Sequence, residues 1–216
     1  MARVQRSESA IEREAFRLTH FPTDGSAEWL RPKDLALAAA VLRTFPDERR
    51  TAVEIGVWKG AWSLGIAENV PKAVVLGVDP YPGLQGPEIR AVLDSRISAT
   101  GLTDRFRLFP SLADAASHVH PVTPVLIHVD GEHTETGTDA DLQWSGQIIA
   151  RDGLIIVDDY RHVWFPGISS AMHAFLRSAN FRIVLVTENK AYLCRASHHS
   201  EWHAKLTQLL STQSAV

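Results

Sequence analysis

The chain has 216 residues, with 22 Lys and Arg against 25 Asp and Glu, a formal charge of -3 and 45% apolar residues. That length suits one sizeable α/β domain, the composition excludes a disordered or fibrous chain, and the scattered bases leave no electrostatic footprint for nucleic acid. Strand-sized apolar runs and a polar amino terminus argue against a membrane span or signal peptide. Cys194 alone permits neither an internal disulfide nor a cysteine metal site, so a cytoplasmic protein is expected.

Residues 1–50 read as an amino-terminal helical arm or cap preceding a main unit at 51–216. Arg3, Arg6, Glu8, Glu12, Arg13 and Glu14 make its start polar and peripheral. Leu35, Ala38, Ala39 and Leu42 then repeat at the spacing of an amphipathic helix. From residue 51 the pattern alternates. Strands are predicted at 51–56, 73–79, 105–109, 124–130, 153–158, 181–187 and 190–195, with helix-length segments between most of them. Over 136–149, Leu142, Ser145, Gly146 and Ile149 share one side, and Ile168, Ala171, Met172, Phe175 and Leu176 form a clearer apolar face. Such alternation predicts crossovers over a mostly parallel sheet. Only Glu188-Asn189-Lys190 separates the last two strands, which suits a hairpin, so the sheet is expected to finish with one antiparallel edge strand. A polar helical tail around Trp202 to Leu210 closes the chain.

Two constellations carry chemistry. In the first, Glu54-Ile55-Gly56-Val57-Trp58-Lys59-Gly60 reads as a strand running into a glycine turn that opens a helix, where backbone N–H groups face a ligand. The next predicted strand ends at Asp79, an acid placed to accept hydrogen bonds from ribose hydroxyls. Trp58 either lines this pocket or packs. Ser111, after Phe109-Pro110, either contacts an adenine or caps the following helix. In the second constellation, Ile127-His128-Val129-Asp130-Gly131-Glu132-His133 and Gly153 through Asp158-Asp159-Tyr160 are apolar strands that break off at acids. Asp130, Asp158 and Asp159 could share one hard cation, magnesium first, or could instead cap helices and start turns. His128, within a strand, reads as a core or opposite-face residue.

The fingerprint G-x-G-x-x-G is absent, and no tyrosine has a lysine four residues later, which demotes nicotinamide chemistry. Glu54-x-Gly56-x-x-x-Gly60 with Asp79 resembles the first two motifs of class I S-adenosylmethionine-dependent methyltransferases. Asp130-Gly131-Glu132-His133 with Asp158-Asp159 is similar to the macrocin and mycinamicin O-methyltransferase group, over roughly residues 50 to 175. The resemblance implies a Rossmann-like doubly wound α/β fold with seven strands in the order 3-2-1-4-5-7-6, strand 7 antiparallel, and helices on both faces. It implies S-adenosylmethionine held by Gly56, Gly60 and Asp79, and Glu54, Trp58, Ser111 and Asp130 are the further candidates for that site. It also implies Mg2+ or another hard divalent cation on Asp130, Asp158 and Asp159, and His133 as general base, a role that in other members falls to an acid two residues after the first ligand, here Glu132. The acceptor would be a hydroxyl of a small molecule, with neither nucleic acid nor membrane as partner and self-association left open. Macrocin-group members carry a longer amino-terminal portion, so a smaller acceptor than an antibiotic sugar is admitted here. The rival readings are a catechol or phenol O-methyltransferase, disfavoured because its second strand end reads Asp-Asn, and a non-catalytic S-adenosylmethionine-binding domain.

Overall fold

The computed structural model describes residues 30–119 and 123–211, so residues 1–29 of the arm or cap expected over 1–50 lie outside the described residues. The elements in chain order are α1 (Pro32–Arg43), β1 (Thr51–Ile55), α2 (Ala61–Asn69), β2 (Val74–Val78), α3 (Gly86–Thr100), β3 (Phe106–Phe109) and α4 (Leu112–Val119). They continue with β4 (Leu126–Val129), α5 (Glu135–Ile148), β5 (Leu154–Val157), α6 (Pro166–Ser178), β6 (Phe181–Val186), β7 (Ala191–Arg195) and α7 (His199–Leu210).

One seven-stranded sheet forms in the order β3-β2-β1-β4-β5-β7-β6. The first five strands pair in parallel, and β7 pairs antiparallel with both β5 and β6. This is the order that the resemblance implied; the antiparallel strand lies inside β6 and is not the edge strand that the hairpin alone suggested. The crossover through α6 lays β6 one place beyond β5, and the hairpin return fills the gap between them. The register Val157↔Ala191 follows from this insertion and sets the start of β7 beside the carboxyl end of β5.

The strands are apolar on both sides because helices cover both faces. Ala52, Leu126, Leu154 and Ile156 join α1, α2, α3 and α7 in one core, whereas Val53, Ile127, Ile155 and Val157 join α4, α5 and α6 in the other. Helix α6 buries Ile168, Ala171, Met172 and Phe175, and burying each large apolar chain stabilises by about 1.5–3 kcal/mol. An acid and a histidine interrupt the apolar centre of the sheet: Glu54 and His128 are register partners on β1 and β4, and both are buried. Among the described residues, no helix is long and apolar enough to cross a membrane.

Candidate active site

The crossover direction reverses between β1 and β4, and at such a switch point the carboxyl ends of the strands open a crevice. The turn after β1 enters it at Gly56, whose φ is +85°, in the left-handed region that favours glycine. A Cβ at Gly56 would lie 1.9 Å from the carbonyl oxygen of Asp130, so the turn after β1 and the turn after β4 rest directly on one another. Gly60, also left-handed, is the N-cap of α2 and supplies no side-chain cap; Glu54 takes the Ser63 amide of that first turn, and the helix end still favours an anionic group.

Asp79 closes the turn from the neighbouring strand. Its Oδ2 accepts the amides of Val57 at 3.0 Å and Trp58 at 2.9 Å, and its Oδ1 accepts the amide of Tyr81 at 2.8 Å. A carboxylate oxygen takes two such bonds, so Oδ1 keeps capacity for a hydroxyl. Trp58 is half exposed beside the crevice, with Lys59 Nζ 5.4 Å from its ring centroid. Two residues assigned to the cofactor from sequence have other occupations here. Glu54 is turned into the core, where it accepts the Ser63 amide at 3.1 Å and the Ser63 hydroxyl; burial pushes its carboxyl upward against the lowering effect of His128. Ser111 Oγ accepts the Asp114 amide at 3.2 Å, the capping bond of α4.

The turns after β4 and β5 bring Asp130, His133 and Asp159 together. His133 Nε2 lies 3.2 Å from Asp130 Oδ1 and 3.7 Å from Asp159 Oδ2, and the ring stacks on Phe165 at 4.5 Å. His162 stacks on Phe165 at 4.7 Å, so two imidazoles share one aromatic ring. The hydrogen bond to Asp130 is the main cause of a raised His133 pKa, aided by the Asp159 charge and opposed by burial. Asp159 itself has φ +51°, a strained conformation of the kind found at functional sites. Its carboxyl is raised first by burial and then by repulsion from Asp158 and Asp130. Glu132 is exposed and lies against Gly137 in the first turn of α5, away from this cluster. Thr134 caps α5 by accepting the Gly137 amide at 3.1 Å, which fixes the end of the segment that carries His133.

Beneath the turn sits Asp141, 8% exposed, with its Oδ2 2.6 Å from where a Cβ on Gly131 would stand. Burial, then the charge of Glu132, raises its carboxyl to about 7. The folded pKa exceeds the unfolded one of about 4, so the associated stability is complete at low pH and is lost as pH rises to 7 and beyond. Asp141→Asn is therefore expected to raise Tm at pH 8 by several degrees, at about 2–4 °C per kcal/mol, and to change it little at pH 4. Scanning fluorimetry at the two pH values checks this, and equal shifts at both would contradict it.

Asp158 faces the other way. It is paired with the buried ammonium of Lys190, the residue just before β7, and its Oδ2 lies 3.3 Å from His128 Nε2. His128 Nδ1 reaches Glu54 Oε1 at 3.2 Å, and Trp62 stacks on the ring at 4.7 Å. Burial and Lys190 oppose a proton on His128, but the hydrogen bonds to Asp158 and Glu54 prevail and raise it to about 9. The expected core position of His128 is thus correct, and the residue also ties the floor of the glycine turn to the end of β5. Lys190 and Phe165 were missed by sequence reasoning. For Lys190 a signal existed, since a hairpin that returns beside β5 must set its last loop residue against the first acid after that strand. His128, Asp130 and Asp158 each offer a ligand atom within 4.8 Å of the others, the arrangement that could hold a metal ion.

This sheet order, with the glycine turn after β1 and the acid after β2, defines the class I methyltransferase architecture. The family described as a methyltransferase domain matches residues 53–160, half of the chain, and the protein belongs to that family. Cofactor-bound Rv0187 from MTB is similar in structure, with a TM-score of 0.63 and 14% identity over 86% of this chain and 88% of that one. CalS11, a TDP-rhamnose 3'-O-methyltransferase of calicheamicin biosynthesis, gives a TM-score of 0.56 and 20% identity over 86% of this chain and 92% of its own. The S-adenosylhomocysteine-bound methyltransferase PaMTH1 of Podospora anserina gives 0.60 and 13%, over 86% and 87%. At these identities the likenesses speak for the fold. No curated protein gives a significant match to the sequence.

Proposed function

We propose that the protein transfers a methyl group from S-adenosylmethionine to a hydroxyl of a small molecule, with His133 as general base. The observation that carries this reading is the close packing of the Gly56 turn on the Asp130 backbone, which sets a cofactor cradle against an imidazole held by two carboxylates. CalS11 is an O-methyltransferase by name, and its likeness supports an oxygen acceptor.

The residues fit the cofactor. Gly56, Gly60 and the amino terminus of α2 would hold its methionyl portion, and the remaining lone pairs of Asp79 would take a ribose hydroxyl. Bound there, S-adenosylmethionine supplies an electrophilic methyl group on a sulfonium. What the chain must do is hold the acceptor oxygen in line, at about 3 Å, and take its proton. Asp130 accepts from Nε2–H of His133, which leaves the Nδ1 lone pair as the basic atom of the neutral ring. Phe165 fixes the ring plane by stacking. Glu54 and Ser63 brace the turn from below.

The residues do not fit a divalent cation on the three acids expected from sequence. Asp158 is already neutralised by Lys190, and Asp130 and Asp159 both address His133. Asp158 is therefore reassigned to the Lys190 pair, and no step of the reaction is drawn through a metal.

A saturating cofactor stabilises the native state by mass action, about 2.7 kcal/mol at a hundredfold excess over Kd. S-adenosylmethionine or S-adenosylhomocysteine should raise Tm by roughly 5–10 °C at that excess. Scanning fluorimetry with NADH as the control decides it; a shift with NADH alone would overturn the assignment. Formation of S-adenosylhomocysteine against a panel of hydroxylated metabolites then identifies the acceptor.

A further inference from the structure

Lys190 is 2% exposed, and such a charge is tolerated only when paired and hydrogen-bonded. Its Nζ pairs with Asp158 Oδ2 and lies 3.1 Å from His128 Nε2. Asp158 and His128 are two of the three residues whose ligand atoms come within metal-binding reach of one another. The ammonium therefore already contacts two of the three ligand groups. A divalent ion placed among them would sit next to a fixed positive charge and would take away that charge's partner. The ring of His128 adds a second obstacle. Carboxylate oxygens face both of its nitrogens, Glu54 at 3.2 Å and Asp158 at 3.3 Å, so neither ring nitrogen points into free space.

We propose that Lys190 is the resident cation of this active site, a positioning residue that holds Asp158 and His128 in place of a divalent metal, so that the protein works without one. The buried row then runs from Ser63 at the start of α2 through Glu54 and His128 to Asp158 and Lys190. It spans from the floor of the glycine turn to the strand end beside His133 and Asp159. Two acids face two basic groups along it, and no further charge is needed. Lys190 is delivered by the hairpin, because the Val157↔Ala191 register carries it to the end of β5 whatever the acceptor.

This inference rests on the methyltransferase reading above, and its test separates the two. Mn2+ binding is measured by electron paramagnetic resonance on the full chain with S-adenosylhomocysteine present, for wild type, Lys190→Ala, Lys190→Arg and Lys190→Ala/Asp158→Asn. Wild type and Lys190→Arg should bind Mn2+ only weakly. Lys190→Ala, with Asp158 and His128 freed, should bind Mn2+ at least about tenfold more tightly than wild type, a gain of 1.4 kcal/mol or more. The double variant should lose that gain, which places the ion at Asp158. Saturable Mn2+ binding to wild type as tight as to Lys190→Ala overturns the proposal, as does wild-type turnover that disappears in EDTA and returns with Mg2+. If Lys190→Ala does not fold, the wild-type titration and the Lys190→Arg protein still decide the matter. Calorimetry with S-adenosylhomocysteine reports independently on the cofactor site, so its failure would count against the function and not against the role of Lys190.

Discussion

Replacing His133 by Gln is expected to lower kcat/KM for methylation by about 10²- to 10⁴-fold, the usual contribution of a positioned base. The Kd for S-adenosylhomocysteine should stay unchanged, because no bond of the glycine turn or of Asp79 passes through His133. A second signature comes from pH. The carboxylate of Asp130 stabilises the imidazolium, so the folded pKa of His133 lies above the ordinary value. The competent form is the neutral ring, and kcat/KM should therefore rise with pH through a midpoint above about 6.5. Asp130→Asn removes the principal cause of the shift and should move that midpoint downward, while Glu132→Gln should leave it in place. A profile governed by Glu132, with His133→Gln nearly silent, would transfer the base role to the acid. The geometry opposes that outcome, since Glu132 lies over α5 and outside the cluster.

The second large effect concerns stability. Gly56→Ala places a Cβ 1.9 Å from the Asp130 carbonyl oxygen at a residue whose φ is +85°. A non-glycine residue in a strained conformation costs about 1–3 kcal/mol, and overpacking against neighbouring structure adds about as much again. A total of about 3 kcal/mol or more lowers Tm by roughly 6–12 °C in a chain of this size. Because the atom that must move belongs to Asp130, the same substitution should also disturb the His133 cluster and abolish cofactor binding. Thermal unfolding and calorimetry measure both. A Gly56→Ala protein that melts like wild type would mean that the two turns separate freely.

The strands and their order were legible because a doubly covered parallel sheet writes itself as apolar runs that stop at acids, and because three residues cannot carry a crossover. The meeting of Asp130, His133 and Asp159 was legible for the same reason, since they share one end of one sheet. What the sequence does not show is side-chain direction. Glu54 sits on β1 with its carboxylate facing α2 and not the crevice, and nothing in the motif distinguishes these. Ser111 was open between two uses and takes the capping one. Asp158 and Asp159 are adjacent, yet the left-handed backbone at Asp159 sends the two carboxylates to different partners. Lys190 lies 32 residues from Asp158 in the chain, and only the strand register brings them together.

The contact between Gly56 and Asp130 also bears on how ligands come and go. Two turns packed this closely leave no room for either to close further onto the other, so any closure around a ligand is expected in the flanking segments. The segments free to respond stand on either side of that pair, Leu84 fully exposed beyond Asp79 on the β2 side and Val163 and Trp164 standing out after β5. Traffic through this enzyme would be governed by those two segments, and its turnover rate would respond to changes there that leave every bond of the reaction centre intact.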